Sequence, residues 1–208
     1  MTEVIIFAKQ PKPGFAKTRL IPALGAERAA QLAERLLQRT VAEASQLGLG
    51  RVHFCYTPAD WLYAAAYPWP EVFEFCEQGE GDLGERMARA CARAQRPVLV
   101  MGTDCPALSA ELLREMASSL QDYDACMIPA LDGGYVALAM REYRPAIFEN
   151  ITWSTARVAE QTRQRMRELD WRWLELPPLA DIDTAEDLHW LPQAWQQELK
   201  LFEVNPYE

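Results

Sequence analysis

The chain predicts an α/β fold: three layers, α/β/α, built on a mostly parallel sheet. Three observations lead there. Short apolar runs of strand length alternate with longer stretches whose apolar residues recur at helical spacing. One run, Val98-Leu-Val-Met101, has no polar face, as a strand covered on both sides requires. Single helices stand between the strands, which makes successive strands parallel. With 208 residues, 50% of them hydrophobic, and no repeat or linker, one domain over 1–208 is expected.

The elements follow in order. Val4 to Ala8 is a short apolar strand that breaks at once into an irregular loop, because Pro11 and Pro13 fix φ and remove two N–H donors while Gly14 frees the next turn. Ala29, Leu32, Ala33, Leu36, Leu37, Val41 and Ala44 form the apolar stripe of a helix ended by Gly48 and Gly50. Val52 to Tyr56 is a second strand. Trp61 to Tyr67 reads as a short helix stopped by Pro68 and Pro70. Val72 to Cys76 is a third strand, and Leu83, Met87, Ala90, Cys91 and Ala94 are a second helical stripe. After the central strand, Ser109 caps a helix with Leu112, Leu113, Met116 and Leu120 inside. Ala125 to Ile128 and Val136 to Met140 are strands, Ser154 caps a further helix, and Trp171 to Leu176 is a late strand. Thr184 and Asp187 have the spacing of a capping box opening a final helix.

Charge and cysteines narrow the function classes. A formal charge of −9 argues against nucleic acid as a main partner. No apolar run approaches the ~20 residues that cross a bilayer, and the N-terminus reads as a strand rather than a secretory leader. Cys55, Cys76, Cys91, Cys105 and Cys126 are odd in number and without CxxC spacing. They fit a reduced cytoplasmic protein with buried thiols better than a disulfide framework. His53 and His189 complete no zinc spacing with them.

On this acidic body, Lys9, Lys12, Lys17 and Arg19 fall within eleven residues after the first strand. A cationic Gly/Pro-shaped loop at the carboxyl end of a first strand is where an α/β protein binds a phosphorylated ligand. A solvated basic turn is the plainer alternative. The loop is not a Walker P-loop, since the first glycine is missing at the required spacing. Gly102-Thr-Asp-Cys-Pro106 directly follows the central strand. There Asp104 either holds a divalent cation bridging a diphosphate or caps the turn before Pro106. Asp132-Gly-Gly-Tyr135 is turn chemistry, and equally an open backbone beside an aromatic hydroxyl that suits a sugar or base. Trp153 is a core residue or a stacking platform. In Asp181-Ile-Asp-Thr184 capping needs one acid and leaves the other for a ligand. A haloacid-dehalogenase nucleophile motif fails there, because Leu176 to Ala180 is a poor buried strand.

Phe7-Ala-Lys-x-Pro-x-Pro-Gly-x-x-Lys-Thr-Arg-Leu20, Gly102-Thr-Asp-Cys-Pro106, Asp132-Gly-Gly-Tyr135, Trp153-Ser-Thr155 and Asp181-Ile-Asp-Thr-x-Glu-Asp-Leu188, in that order, resemble a bacterial family of small transferase-like proteins. Its members are described as glycosyltransferases of the A-type, nucleotide-diphospho-sugar transferase fold, and some are linked to arsenosugar biosynthesis. Sugar-nucleotide pyrophosphorylases and molybdenum-cofactor nucleotidyltransferases share that fold. The resemblance implies that Lys9, Gly14, Lys17 and Arg19 line a nucleotide-phosphate loop. It puts Asp104 in the place of the metal-binding aspartate. Pro106 stands where the usual Asp-x-Asp has its second acid, and the resemblance offers Asp183 as the missing carboxylate. Asp132, Gly133, Gly134 and Tyr135 would face sugar or acceptor, with Trp153 beside them.

The function expected from the resemblance is Mg²⁺- or Mn²⁺-dependent glycosyl transfer from a nucleoside-diphosphate sugar, with Asp132 as general base. The alternatives are nucleotidyl transfer from a nucleoside triphosphate to a phosphorylated acceptor, and a catalytically silent nucleotide-sugar binder.

Overall fold

The structure, a computed structural model, describes residues 1–61, 69–94 and 97–198. Its centre is a seven-stranded sheet of β1 (Glu3–Lys9), β2 (Val52–Thr57), β3 (Phe73–Glu77), β4 (Val98–Met101), β5 (Ala125–Pro129), β6 (Tyr135–Met140) and β7 (Trp173–Glu175). Across the sheet the order is β3-β2-β1-β4-β6-β5-β7. β6 is antiparallel to both β4 and β5, and the other pairings are parallel. The expected mostly parallel α/β sheet is present. The exception comes from Asp132-Gly-Gly, which turns β5 straight back into β6 as a hairpin does.

Each face of the sheet is covered. On one, Val4, Ile6, Phe54, Leu99 and Met101 pack with Leu37 and Ala44 of α2 (Ala26–Ser45) and with Leu113 and Met116 of α4 (Ala110–Ser119). On the other, Ile5, Val100, Met127, Leu138 and Met140 meet Met87 and Cys91 of α3 (Leu83–Arg93) and Ala159 and Met166 of α5 (Val158–Glu168). All four residues of β4 are buried, as its unbroken apolar run requires. A third, smaller cluster joins Leu20, Leu24 of α1 (Ile21–Leu24), Leu32 and Leu36 to Ile182 and Leu191. That cluster holds the late segment against the first loop.

Local chemistry explains the element ends. Ser109 accepts the amide of Leu112 and caps α4 as expected. Asp82 and Glu85 form a reciprocal capping box on α3. Thr184 and Asp187 form the anticipated box, but the segment behind it, Ala185–Trp190, is a 3-10 helix. The expectation for Ser154 needs correction. Ser154 adopts φ 60 and caps nothing, and α5 starts later, behind Arg157. There Thr155 donates to the Thr152 carbonyl at 2.7 Å, and Gln161 reaches back to accept the Thr152 amide at 2.8 Å, so a closed turn precedes the helix. β7 spans only Trp173–Glu175 of the longer run expected. The short helix read at Trp61 to Tyr67 lies, beyond Trp61, outside the described residues. No helix among the described residues is long and apolar enough to cross a membrane.

Candidate functional site

The strand order reverses between β1 and β4: β2 and β3 lie to one side of β1, while β4 leads to the other half of the sheet. The crevice beyond the carboxyl ends at such a switch is where open α/β sheets take ligands. Both the basic loop and Gly102–Pro106 emerge there.

The basic loop is tied by its own backbone. The amides of Phe15 and Ala16 donate to the Lys12 carbonyl, and Gly14 takes φ +77 to close the turn. Ala16 is buried, and Lys17 follows in the left-handed region at φ 49. The turn drives the Lys17 side chain inward until it is 6% exposed. Its Nζ lies 2.6 Å from Asp104 Oδ1 and 2.9 Å from Asp183 Oδ1. Burial by itself would push this ammonium down, but Asp104 and Asp183 outweigh it and hold its pKa above the usual lysine range. Arg19 lies 3.9 Å from Asp183, and Lys9 stacks its ammonium 4.3 Å above the Phe15 ring.

Asp183 arrives by alternation. The Ile182 amide donates to the Asp104 carbonyl at 3.0 Å, and the Ile182 side chain is fully buried in the third cluster. In an extended run its neighbours point the other way, so Asp181 and Asp183 both face the crevice. Neither has to cap, because Asp187 accepts the amides of Asp183 and Thr184. Asp181 is the carboxylate that sequence reasoning did not single out. Burial, then the charge of Asp104, pushes its pKa up to about 8. The Asp-Ile-Asp alternation was the signal that could have found it.

The crevice has two connected parts. A small one of about 220 Å³ is lined by Lys9, Lys17, Arg19, Thr103, Asp104 and Asp183. It opens into a cleft of about 550 Å³ whose walls include Asp104, Asp132, Asp181, Tyr135, Met87 and Trp153. The Trp153 indole lies against Gly84 of α3, where an added Cβ would stand 2.4 Å from Nε1. Tyr135 lines the cleft but spends its hydroxyl on Met87 Sδ at 3.8 Å, and burial pushes its pKa up. Asp132 Oδ1 accepts the Gly134 amide at 2.8 Å, so this carboxylate closes the hairpin turn while facing the cleft. Lys9, Lys17, Arg19, Asp104 and Asp183 are therefore brought together, and Asp132, Gly134, Tyr135 and Trp153 line the adjoining cleft. Gly14 shapes the loop and lines neither part. Gly133 is not among the residues lining the cleft: at φ +93, an added Cβ would meet the Ala156 carbonyl oxygen at 2.1 Å.

A family model described as "Uncharacterized protein conserved in bacteria (DUF2064)" matches residues 40–155, more than half of the chain. The chain belongs to this DUF2064 family. Among its similar proteins is a 2-phospho-L-lactate guanylyltransferase of Methanosarcina mazei, 28% identical, with 85% of this chain and 81% of that protein aligned. A crystal structure from Desulfovibrio desulfuricans G20, provisionally described as a nucleotide-diphospho-sugar transferase, is 34% identical with a TM-score of 0.85, over 93% of this chain and 88% of that one. The 4-diphosphocytidyl-2C-methyl-D-erythritol synthase of Anaerococcus prevotii shares the fold at 13% identity, with a TM-score of 0.61 over 95% of this chain and 98% of that one.

Proposed function

We propose that this DUF2064 chain is a nucleotidyltransferase. It moves a nucleoside monophosphate from a nucleoside triphosphate to a phosphorylated acceptor and releases pyrophosphate. The observation that carries the reading is the Lys17 ammonium held between Asp104 and Asp183 at the switch point, with Lys9 and Arg19 beside it. Such an end suits a polyphosphate, and the adjoining cleft leaves room for an acceptor. The guanylyltransferase relative supports this over glycosyl transfer, the first expectation from the sequence.

Asp104 and Asp183 fit Mg²⁺ or Mn²⁺. They are hard oxygen donors already converging on one cationic atom. No group of three or more His, Cys, Asp or Glu among the described residues could hold a metal ion, so phosphates and water would complete the shell, as Mg²⁺ accepts. When bound, such an ion neutralises phosphate charge and polarises the phosphoryl group under attack. The chain's own residues do the rest. Lys9, Lys17 and Arg19 bind the triphosphate and stabilise charge on the departing pyrophosphate. Trp153, Gly134 and Asp132 line the space where the acceptor phosphate would approach the α-phosphorus. A phosphate monoester is already anionic at neutral pH, so this chemistry needs no general base. Asp132 accordingly loses the base role and keeps its turn-closing one.

The test is pyrophosphate release from each nucleoside triphosphate with Mg²⁺ or Mn²⁺, taking 2-phospho-L-lactate as the first acceptor and widening to other phosphate monoesters. Pyrophosphate formed only with triphosphate and acceptor together is the expected result. Nucleoside diphosphate released from a diphosphate sugar, with no pyrophosphate from any triphosphate, would return the chain to glycosyl transfer.

A further inference from the structure

Away from the cleft, the α3 face of the sheet holds a feature that nucleotidyl transfer does not use. Cys55 of β2 and Cys76 of β3 are register partners on neighbouring parallel strands. Their sulfurs lie 2.8 Å apart. They stand twenty-one positions apart in the chain, and the strand pairing brings them together. Adjacent strands run about 4.8 Å apart, inside the ~4.4–6.8 Å Cα range that a disulfide accepts. Both thiols line a second cavity of about 660 Å³ that also includes Glu3, His53, Glu74 and Arg93. That cavity shares no lining residue with the cleft.

We propose that Cys55 and Cys76 form a modification site, a dithiol that hydroperoxides convert to a cross-strand disulfide. Cys76 is the attacking sulfur. It is the less buried of the two, and the hydrogen bond it shares with Cys55, with Arg93 nearby, holds its pKa below the usual thiol range despite partial burial. Its thiolate takes one peroxide oxygen, the O–O bond breaks, and hydroxide leaves Cys76 as a sulfenic acid. Cys55 sulfur then attacks the Cys76 sulfur, the S–O bond breaks, and water departs with the Cys55 proton. The two thiols lose two electrons and hydrogen peroxide becomes two waters. Cys91 and Cys105, by contrast, are buried thiols pushed up by burial to about 12 and about 11.

The bond would clamp an edge strand close to the site. Two residues beyond Cys76, the buried Gln78 amide donates to the carbonyls of Ala8 and Cys55, each at 3.0 Å. It thereby fastens the exit of β3 to β1 just before the basic loop.

The experiment treats the reduced full chain with equimolar hydrogen peroxide, then counts thiols after denaturation and maps peptides. Thiols should fall from five to three, the mass should drop by about 2 Da, and one peptide should join Cys55 to Cys76, all reversed by dithiothreitol. Cys76→Ser, its fold checked by circular dichroism, should keep four thiols under the same treatment. Survival of all five thiols in the unmodified chain, a cross-link through another cysteine, or over-oxidised Cys76 beside a free Cys55 would each overturn the proposal. Mapping of the unmodified chain decides even if the variant fails to fold.

Discussion

Lys17 Nζ stands between two carboxylates that would otherwise repel each other, and its own side chain is almost inaccessible. Removing it with Lys17→Met leaves Asp104 and Asp183 facing one another, though both are over a third exposed and water screens them. The expected loss is therefore only about 1 kcal/mol, or ~2–4 °C in Tm, alongside a much larger loss of triphosphate affinity. Asp104→Ala removes the other side of the pair. It should cut turnover by about 10²–10³-fold in the pyrophosphate assay while the melting curve stays close to the parent's, since Lys17 keeps Asp183. Asp181 gives the pH prediction. Its folded pKa of about 8 lies above its ordinary value of 3.8, so the folded state binds the proton more tightly. Its contribution to stability is therefore greatest at or below pH 3.8 and is lost as pH rises towards about 8. Asp181→Asn should stabilise the chain at pH 8 without added divalent cation and flatten that slope. Denaturant titrations across the range check it, and an unchanged slope would refute burial of the Asp181 carboxyl as its cause.

At the scale of elements, the β5–β6 hairpin and the turn before α5 depend on each other. Gly133 sits at φ +93 with the Ala156 carbonyl where a side chain would go, and its own carbonyl accepts the Ala159 amide at 2.9 Å. Gly133→Ala therefore meets both backbone strain and a clash with main chain, and should cost more than about 1 kcal/mol. Gly14→Ala has a similar φ, +77, but open space around it, and should cost less. Urea melts of the two variants give the comparison. The same elements show what sequence reading reaches. Local rules, such as the caps at Ser109 and Thr184 and the apolar run of β4, are written in neighbouring residues and were legible. Ser154 misled because it satisfies the cap pattern locally, while the Gln161 side chain, from the first turn of α5, captures the turn instead. Gly133 read as ligand-facing because its partner, Ala156, lies twenty-three positions away, across a loop.

At the scale of the molecule, the sheet order decides where chemistry can sit. Helical and strand periodicity made the α/β class legible, and motifs at strand ends marked the basic loop and Asp104. The pairing of β1 with β4, the antiparallel β6 and the Cys55–Cys76 contact were not legible, because each joins segments far apart in the chain and no local pattern encodes strand order. With that order known, a net charge of −9 acquires a consequence. A polyanionic triphosphate approaching an acidic body would be drawn to Lys9, Lys17 and Arg19, and beside them stand Asp104 and Asp183. Those carboxylates repel phosphate unless a cation intervenes, so binding should depend on Mg²⁺ or Mn²⁺ for charge balance as well as for chemistry. Thermal shifts measure this directly. A triphosphate at 100 times its dissociation constant stabilises the fold by ~2.7 kcal/mol, which at ~2–4 °C per kcal/mol is a rise of roughly 5–10 °C. The rise should appear with the divalent ion and largely vanish with EDTA, and in Asp104→Ala it should shrink with the ion present. A full shift in EDTA would mean that the three basic side chains hold the triphosphate unaided and that the carboxylates serve the acceptor instead.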